Sequence, residues 1–231
     1  MSESNGFGHV DTWVFDLDNT LYPARSRLFD QIDLKMGAFI ADRLSVDRVE
    51  ARKIQKKFFY EHGTTLRGLM LEYDIPPDDF LSFVHDIDHS VLDPNPALNT
   101  ALGRLPGRKL IFTSGTVAHA ESVMNRIGIT HHFEDIFDIK SAEYLPKPHA
   151  PTYDRFVDHV GVAPDRAAMF EDIIRNLEAP HALGMVTVLV HDNDNEDGAM
   201  INKLNDDTGN AEHVHHVTDD LAGFLSKIVR A

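Results

Sequence analysis

A chain of 231 residues with a hydrophobic fraction of 42% is long enough for one core domain that carries a smaller inserted one. Its 22 basic residues against 37 acidic ones give a formal charge of -15, which argues against a nucleic-acid polymer or an anionic membrane surface as partner. The absence of cysteine excludes disulfides, thiolate metal sites and a cysteine nucleophile. A small phosphorylated metabolite stays compatible with the charge, because one cation and one lysine can reverse the field inside a single cleft. The opening MSESNGFGHVDTW has no basic and apolar leader pattern. No later stretch reaches the roughly 18 apolar residues of a membrane span, so a cytoplasmic location without membrane contact is expected.

In chain order, Trp13 to Leu17 is a short apolar run that ends in DLDNT, a buried strand with polar residues at its C-terminal tip. From Pro23 to about Val91 the pattern changes to amphipathic helices such as RSRLFDQIDLKMGAFIADRL and VDRVEARKIQKKFFYEH, with no strand-like run. Leu92 to Pro96, with prolines at 94 and 96, reads as a return linker. Strands are then expected at Lys109 to Thr113, Ile136 to Ile139, Ala167 to Glu171, Met185 to His191 and Glu212 to Val217, separated by helices or turns. That rhythm predicts an α/β fold: a Rossmann-like, mostly parallel sheet with helices on both faces, plus an inserted all-helical cap. The expected division is a core of residues 1–21 and 97–231 and a cap of residues 22–96. Residues 192–210, rich in Asp, Asn and Gly, read as a solvated loop, with a flap over the site as the alternative.

Four strand tips carry the chemistry. Asp16 and Asp18 lie two residues apart on an extended chain and so face one cleft. Like charges that close do not ionise independently: one pKa rises and that group can carry a proton near neutral pH, while the other stays a nucleophile. Thr113, Ser114 and Gly115 end the second strand and can offer a hydroxyl and backbone N–H groups to phosphoryl oxygens. Lys147, clamped between Pro146 and Pro148, can offset crowded negative charge. Glu171 and Asp172 end another strand and, with Asp16 and the backbone carbonyl of Asp18, form a hard oxygen set that suits octahedral magnesium.

Taken together, DxDxT, Thr, Lys and Asp in this order resemble the haloacid dehalogenase superfamily. The likeness narrows to its pyrimidine 5'-nucleotidase-like subgroup through DLDNTLYP at 16–23, HGTTLRGLM at 62–70, FLSFVHDID at 80–88, FTSG with His119-Ala120, YLPKP at 144–148, and FED with Asn176-Leu177. The resemblance implies that Asp16 attacks phosphorus to form an aspartyl phosphate and that Asp18 protonates the leaving oxygen and then activates water. It gives Thr113 to phosphoryl binding, Lys147 to the nucleophile and phosphate, and Asp172 to Mg2+. Ser114 stands where that subgroup usually has Asn, and Ile173 where Ser often follows the metal Asp, which puts substrate preference in question.

In the helical stretch, Thr65, Arg67 and His85 are candidates for reading the leaving group, Arg67 by pairing with phosphate or a base carbonyl. His213, His215 and His216 lie on an alternating strand pattern that splits them between faces, which argues for solvent-facing histidines and against a metal site. The expected activity is hydrolysis of a small phosphomonoester, with a pyrimidine nucleoside 5'-monophosphate leading, by a monomer or homodimer. A sugar-phosphate phosphatase or mutase, a dehalogenase, and a non-catalytic nucleotide-binding protein are the rivals.

Overall fold

The computed structural model describes residues 6–191 and 211–228. Six strands form one sheet: β1 (Thr12–Phe15), β2 (Arg108–Phe112), β3 (Asp135–Phe137), β4 (Ala167–Glu171), β5 (Val186–Val190) and β6 (His216–Thr218). Their order is β3-β2-β1-β4-β5-β6, and every neighbouring pair is parallel. The expected alternation of strands and helices therefore closes into one parallel sheet. Strand order reverses beside β1, so the crevice outside the carboxyl ends of β1, β2 and β4 is the topological switch point where such sheets bind ligands.

Side chains leave the sheet with a period of two and feed two separate cores. Trp13 and Phe15 of β1, Ile111 of β2, Phe170 of β4 and Val188 of β5 pack on one face. Val14, Leu110, Phe112, Met169 and Leu189 pack on the other. The first face is covered by α5 (Pro96–Arg104), α6 (Val117–Ile127) and α9 (Leu221–Ile228), the second by α7 (Ala150–Val160) and the turn that leads into α8 (Glu178–Ala182). Because both faces are buried, the strands read as continuous apolar runs and not as alternating ones.

Between β1 and β2 the chain is helical: α1 (Leu28–Leu44), α2 (Arg48–His62), α3 (Thr65–Tyr73) and α4 (Pro77–Val84). Local signals set these boundaries. Asp47 caps α2 by accepting from Val49 N and Glu50 N, each at 2.9 Å, and Thr64 caps α3 by accepting from Arg67 N at 3.2 Å. The four helices bury a third cluster of their own around Ile32, Phe39, Phe58, Leu69, Phe80 and Val84, which Ile139 joins from the loop after β3. The ends of the 22–96 stretch behave differently: Tyr22, Leu28 and Leu92 pack with the first face of the sheet.

The last strand is shorter than its sequence pattern. Only His216 of the three clustered histidines lies on β6, because the preceding residues are drawn sideways onto β5. Thr187 donates its hydroxyl to His213 O at 2.7 Å, and its backbone N–H donates to His215 Nδ1 at 3.0 Å. His213 and His215 are thus tethered ends of a connection and not alternating strand residues. The expected loop or flap at 192–210 lies outside the described residues. Among the described residues, no helix is long and apolar enough to cross a membrane.

Candidate active site

Asp16 is the first residue beyond β1, where its N–H continues the ladder by donating to Phe170 O at 2.9 Å. Its carboxylate is buried among charged groups delivered by two other loops. Lys147 Nζ donates to Asp16 Oδ1 at 2.7 Å, to Glu171 Oε2 at 2.5 Å and to Phe112 O at 3.0 Å. Carboxylate oxygens of Asp16, Glu171 and Asp172 lie within 4.8 Å of one another. Three buried carboxylates share one lysine, and the electrostatics follow from that imbalance. Burial first, and then the neighbouring Glu171 charge, push Asp16 up to about 7. Burial and the same neighbour hold Asp172 well above the usual carboxylate range. Burial alone would lower Lys147, but Asp16 and Glu171 outweigh it and hold its pKa above the ordinary value.

That excess of buried negative charge fits a hard divalent cation bound by Asp16 and Asp172. Glu171 fits less well, because both of its oxygens are engaged. Oε2 accepts from Lys147, and Oε1 accepts from Asn176 Nδ2 at 3.1 Å and Ile173 N at 3.3 Å. Glu171 stays within the cluster of candidate ligand oxygens, and these contacts also give it the task of holding Lys147.

Asp18 sits in a different field. After Leu17 the chain turns, with Thr20 N and Leu21 N both bonding Leu17 O, and Asn19 takes a left-handed φ of 61° that Asn tolerates. The carboxylate Oδ1 of Asp18 accepts from Tyr22 Oη at 2.5 Å and pairs with His119 Nε2 at 2.9 Å. Burial would raise Asp18, yet the His119 charge and the two hydrogen bonds outweigh it and leave its pKa below the ordinary value. The sequence argument for one raised carboxylate therefore applies to Asp16 and not to Asp18. The Asp18 side chain also lies outside the cluster of candidate ligands; only its backbone carbonyl was expected to ligate.

One cavity joins the two carboxylates to the helical stretch. It is lined by Asp16, Asp18, Thr113, Ser114, Gly115, Lys147 and Asp172 from the strand tips, and by residues of α1, α2, α3 and α4 across from them. Thr113 Oγ1 accepts from Gly115 N at 2.9 Å, which leaves its proton to point elsewhere. Asp138, at the end of β3, fixes this tip by accepting from Val117 N at the start of α6 and from Lys140 N and Ser141 N. The contact between the helical stretch and the lysine loop is tight at Gly63. Its φ is +85°, and a Cβ there would stand 2.8 Å from Lys147 O.

Of the three candidates on the helical stretch, the structure brings two to the cavity. Thr65 lines it while donating its hydroxyl to Gln55 O at 3.3 Å. His85 lines it and stacks on His119, with ring centroids 4.5 Å apart and planes 6° from parallel. Arg67 does not line it, because the 100° advance per residue of α3 carries its side chain away from the wall that Thr64, Thr65 and Leu66 supply. The arginine that does is Arg175, which lies over the Phe59 ring at 4.7 Å and donates to Phe59 O at 3.1 Å. Its position three residues after Asp172, in the turn that also holds Asn176, was the available signal. Tyr22 stands inside the DLDNTLYP stretch, but nothing in its spacing marks it as a partner of Asp18.

A family model described as haloacid dehalogenase-like hydrolase matches residues 10–184. Phosphate metabolism protein 8 of Saccharomyces cerevisiae is 26% identical over 195 residues, which cover 77% of this chain and 60% of that protein. The chain thus spans about three fifths of that relative's length. Among solved structures, an HAD phosphatase from Thermococcus onnurineus is similar with a TM-score of 0.62 at 16% identity, over 95% of this chain and 98% of that one. An L-2-haloacid dehalogenase from Xanthobacter autotrophicus gives 0.58 at 18% identity, over 96% and 99%. Identities that low speak for the fold alone. The match of the family model over most of the chain, from the strand that leads into Asp16 to the end of α8, goes further: this protein belongs to the haloacid dehalogenase-like hydrolases.

Proposed function

We propose that the protein is a magnesium-dependent phosphomonoesterase working through an aspartyl phosphate on Asp16, with a pyrimidine nucleoside 5'-monophosphate as its leading substrate. The observation that carries this reading is the pair of carboxylates opening into one cavity, Asp16 beside a buried lysine and Asp18 held by His119 and Tyr22. An Asp16 oxygen attacks phosphorus, the ester P–O bond breaks, and the leaving oxygen takes a proton from Asp18. Water then attacks the acyl phosphate, giving its proton to Asp18 and freeing phosphate and the Asp16 carboxylate. A dianionic phosphoryl group beside Asp18 raises its pKa by like-charge repulsion, which loads the proton when substrate is bound.

Lys147 and the Thr113 hydroxyl face the equatorial oxygens, where phosphoryl transfer needs positive charge and fixed donors. Magnesium held by Asp16, Asp172 and the Asp18 carbonyl would add charge neutralisation there. Residues 22–96 are read as a cap that encloses the leaving group. Phe29, Ile32, Met36, Phe59, Phe80 and Leu81 give the cavity a largely apolar wall that suits the flat face of a base better than the hydroxyls of a sugar. This favours a nucleotide over a sugar-phosphate substrate, whether for a phosphatase or a mutase. Dehalogenation is the weaker reading, because a halide leaves without a proton and gives Asp18 no task.

A phosphate-release screen over nucleotides, sugar phosphates and short phosphorylated acids, with and without chelator, tests the proposal. Nucleoside monophosphates should release phosphate only with magnesium, and Asp16→Asn should fall to background. Retained turnover in that variant would show that the nucleophile is misassigned. Halide release insensitive to chelator would favour the dehalogenase, and nucleotide binding without turnover would favour a non-catalytic role.

A further inference from the structure

The surroundings of Asp18 are more elaborate than a catalytic acid requires. Both hydrogen bonds it receives from side chains, from Tyr22 Oη at 2.5 Å and His119 Nε2 at 2.9 Å, fall on Oδ1. Among the described residues no hydrogen bond reaches Oδ2, so one oxygen is anchored and the other is presented to the cavity that Asp18 lines. His119 is itself fixed from several directions. Its side chain is fully buried on α6, His85 covers its ring face, and its Nδ1 lies 3.4 Å from His89 Nε2. Gly115 leaves room for it, since a Cβ there would stand 3.2 Å from His119 Cδ2. His85 is tied in turn by Thr116 Oγ1, 3.3 Å from its Nδ1.

The geometry points to His119 and Tyr22 as positioning residues that clamp Oδ1 of Asp18, so that Oδ2 alone exchanges the proton with the leaving oxygen. This rests on the phosphomonoesterase reading above and adds a division of labour between the two oxygens. A carboxylate free to rotate about its last torsion would present either oxygen at a range of angles, and proton transfer needs a heavy-atom separation held near hydrogen-bond length. Tyr22 and His119 come from different elements, the turn after β1 and helix α6, so the clamp also ties the Asp18 turn to the second strand tip.

The test separates positioning of a proton donor from general structural support by the leaving group. A nitrophenolate departs from phosphorus without a proton, whereas the 5'-alkoxide of a nucleoside does not. We expect His119→Ala to lower kcat/KM for a nucleoside 5'-monophosphate about tenfold more than for 4-nitrophenyl phosphate, part of the 10²–10⁴-fold that general acid–base catalysis supplies. Tyr22→Phe, which removes only the hydroxyl, should show the same split at smaller size. His119→Gln, whose amide N–H can stand near the position of Nε2, should recover much of the loss. The parameter kcat/KM is the one to compare, because it reports steps up to formation of the aspartyl phosphate and leaves its hydrolysis out. Equal losses on both esters in His119→Ala and Tyr22→Phe, or no loss on either, would overturn the clamp while leaving the phosphatase reading intact. Absence of phosphate release from both esters by the unaltered protein would instead overturn the phosphatase reading and the clamp with it.

Discussion

Asp16 and Asp18 are separated by one leucine, yet they occupy opposite electrostatic fields. Around Asp16 the strand tips crowd acids against a single lysine, and its pKa rises to about 7. Around Asp18 a histidine and a tyrosine donate to one oxygen, and its pKa falls below the ordinary value. The chain alone makes these two positions equivalent; the groups that face them across the crevice make them different. Asp16 is therefore a group that stands near its ionisation midpoint at neutral pH until a cation favours the anion, and Asp18 is one that needs substrate charge in order to hold a proton.

The largest break in this contrast should come from the lysine. Lys147 is buried between Asp16 and Glu171, and removing one partner of such an arrangement leaves the other charges unpaired. In Lys147→Ala, without magnesium and near neutral pH, urea unfolding should show a loss of about 3–5 kcal/mol. A loss under about 1 kcal/mol, the size typical of an average substitution, would mean that the acids near Asp16 shed their charge without help from the lysine.

The next prediction sets Asp16 apart by its pH dependence. Between an unfolded carboxylate value of about 3.9 and its folded value of about 7, Asp16 binds more protons in the folded chain than in the unfolded one. Unfolding free energy from this group therefore falls as pH rises through that window. Asp18 acts with the opposite sign: its contribution is present above the ordinary carboxylate range and is lost as pH falls through its folded value. Many histidines titrate in the same range, so the informative quantity is the Tm of the unaltered protein minus that of Asp16→Asn. Without cation this difference should become more negative from mildly acid to mildly alkaline pH. Magnesium, by binding the ionised form, should reverse the trend, and Asp172→Asn should abolish that reversal. Parallel melting curves with and without magnesium would separate the acidic cluster from cation binding.

The same contrast marks how far the sequence could be read. The strands β1, β2, β4 and β5 were legible because strands buried on both faces are short apolar runs between turns, and alternation with helices implied a parallel sheet; β3 and β6 are partly exposed, and β6 is shorter than its pattern. Most of the Asp16 side was legible too, since its acids and its hydroxyl stand at strand ends: Asp16 after β1, Thr113 after β2, Glu171 on β4 and Asp172 after it, with Lys147 marked instead by the two prolines of its loop. Parallel strands in one sheet bring such tips together whatever the details of packing. The Asp18 side was not. Tyr22 reaches it from the turn after β1 and His119 from the first turn of α6, and although both stand in stretches that carry the resemblance, no periodicity connects the two residues. The engagement of both Glu171 oxygens was equally hidden, because it depends on where Asn176 falls in a short 3-10 turn.

The smallest expected effect concerns the two arginines, one assigned to the cavity from the sequence and one found there. Arg67 follows a glycine-bounded TT pair in the α2–α3 turn, a pattern that suggests a loop lowered onto substrate, but in the structure Thr64 ends that turn as a helix cap. Arg67 is thereby the third residue of α3, where the 100° advance per residue of a helix carries it off the wall formed by Thr65 and Leu66. Arg175 reaches the cavity from the core, stacked on Phe59 and bonded to Phe59 O in the last turn of α2 and to Gly63 O just beyond it, so it touches both the helical stretch and the turn after Asp172. Arg67→Ala should leave kcat/KM within about twofold and stability within about 0.5 kcal/mol. Arg175→Ala should raise KM severalfold with a smaller change in kcat, as expected when the enclosure of the leaving group loosens while the reacting groups stay in place. The reverse ranking would put the α2–α3 turn in a different position over substrate from the one it holds over Lys147 here.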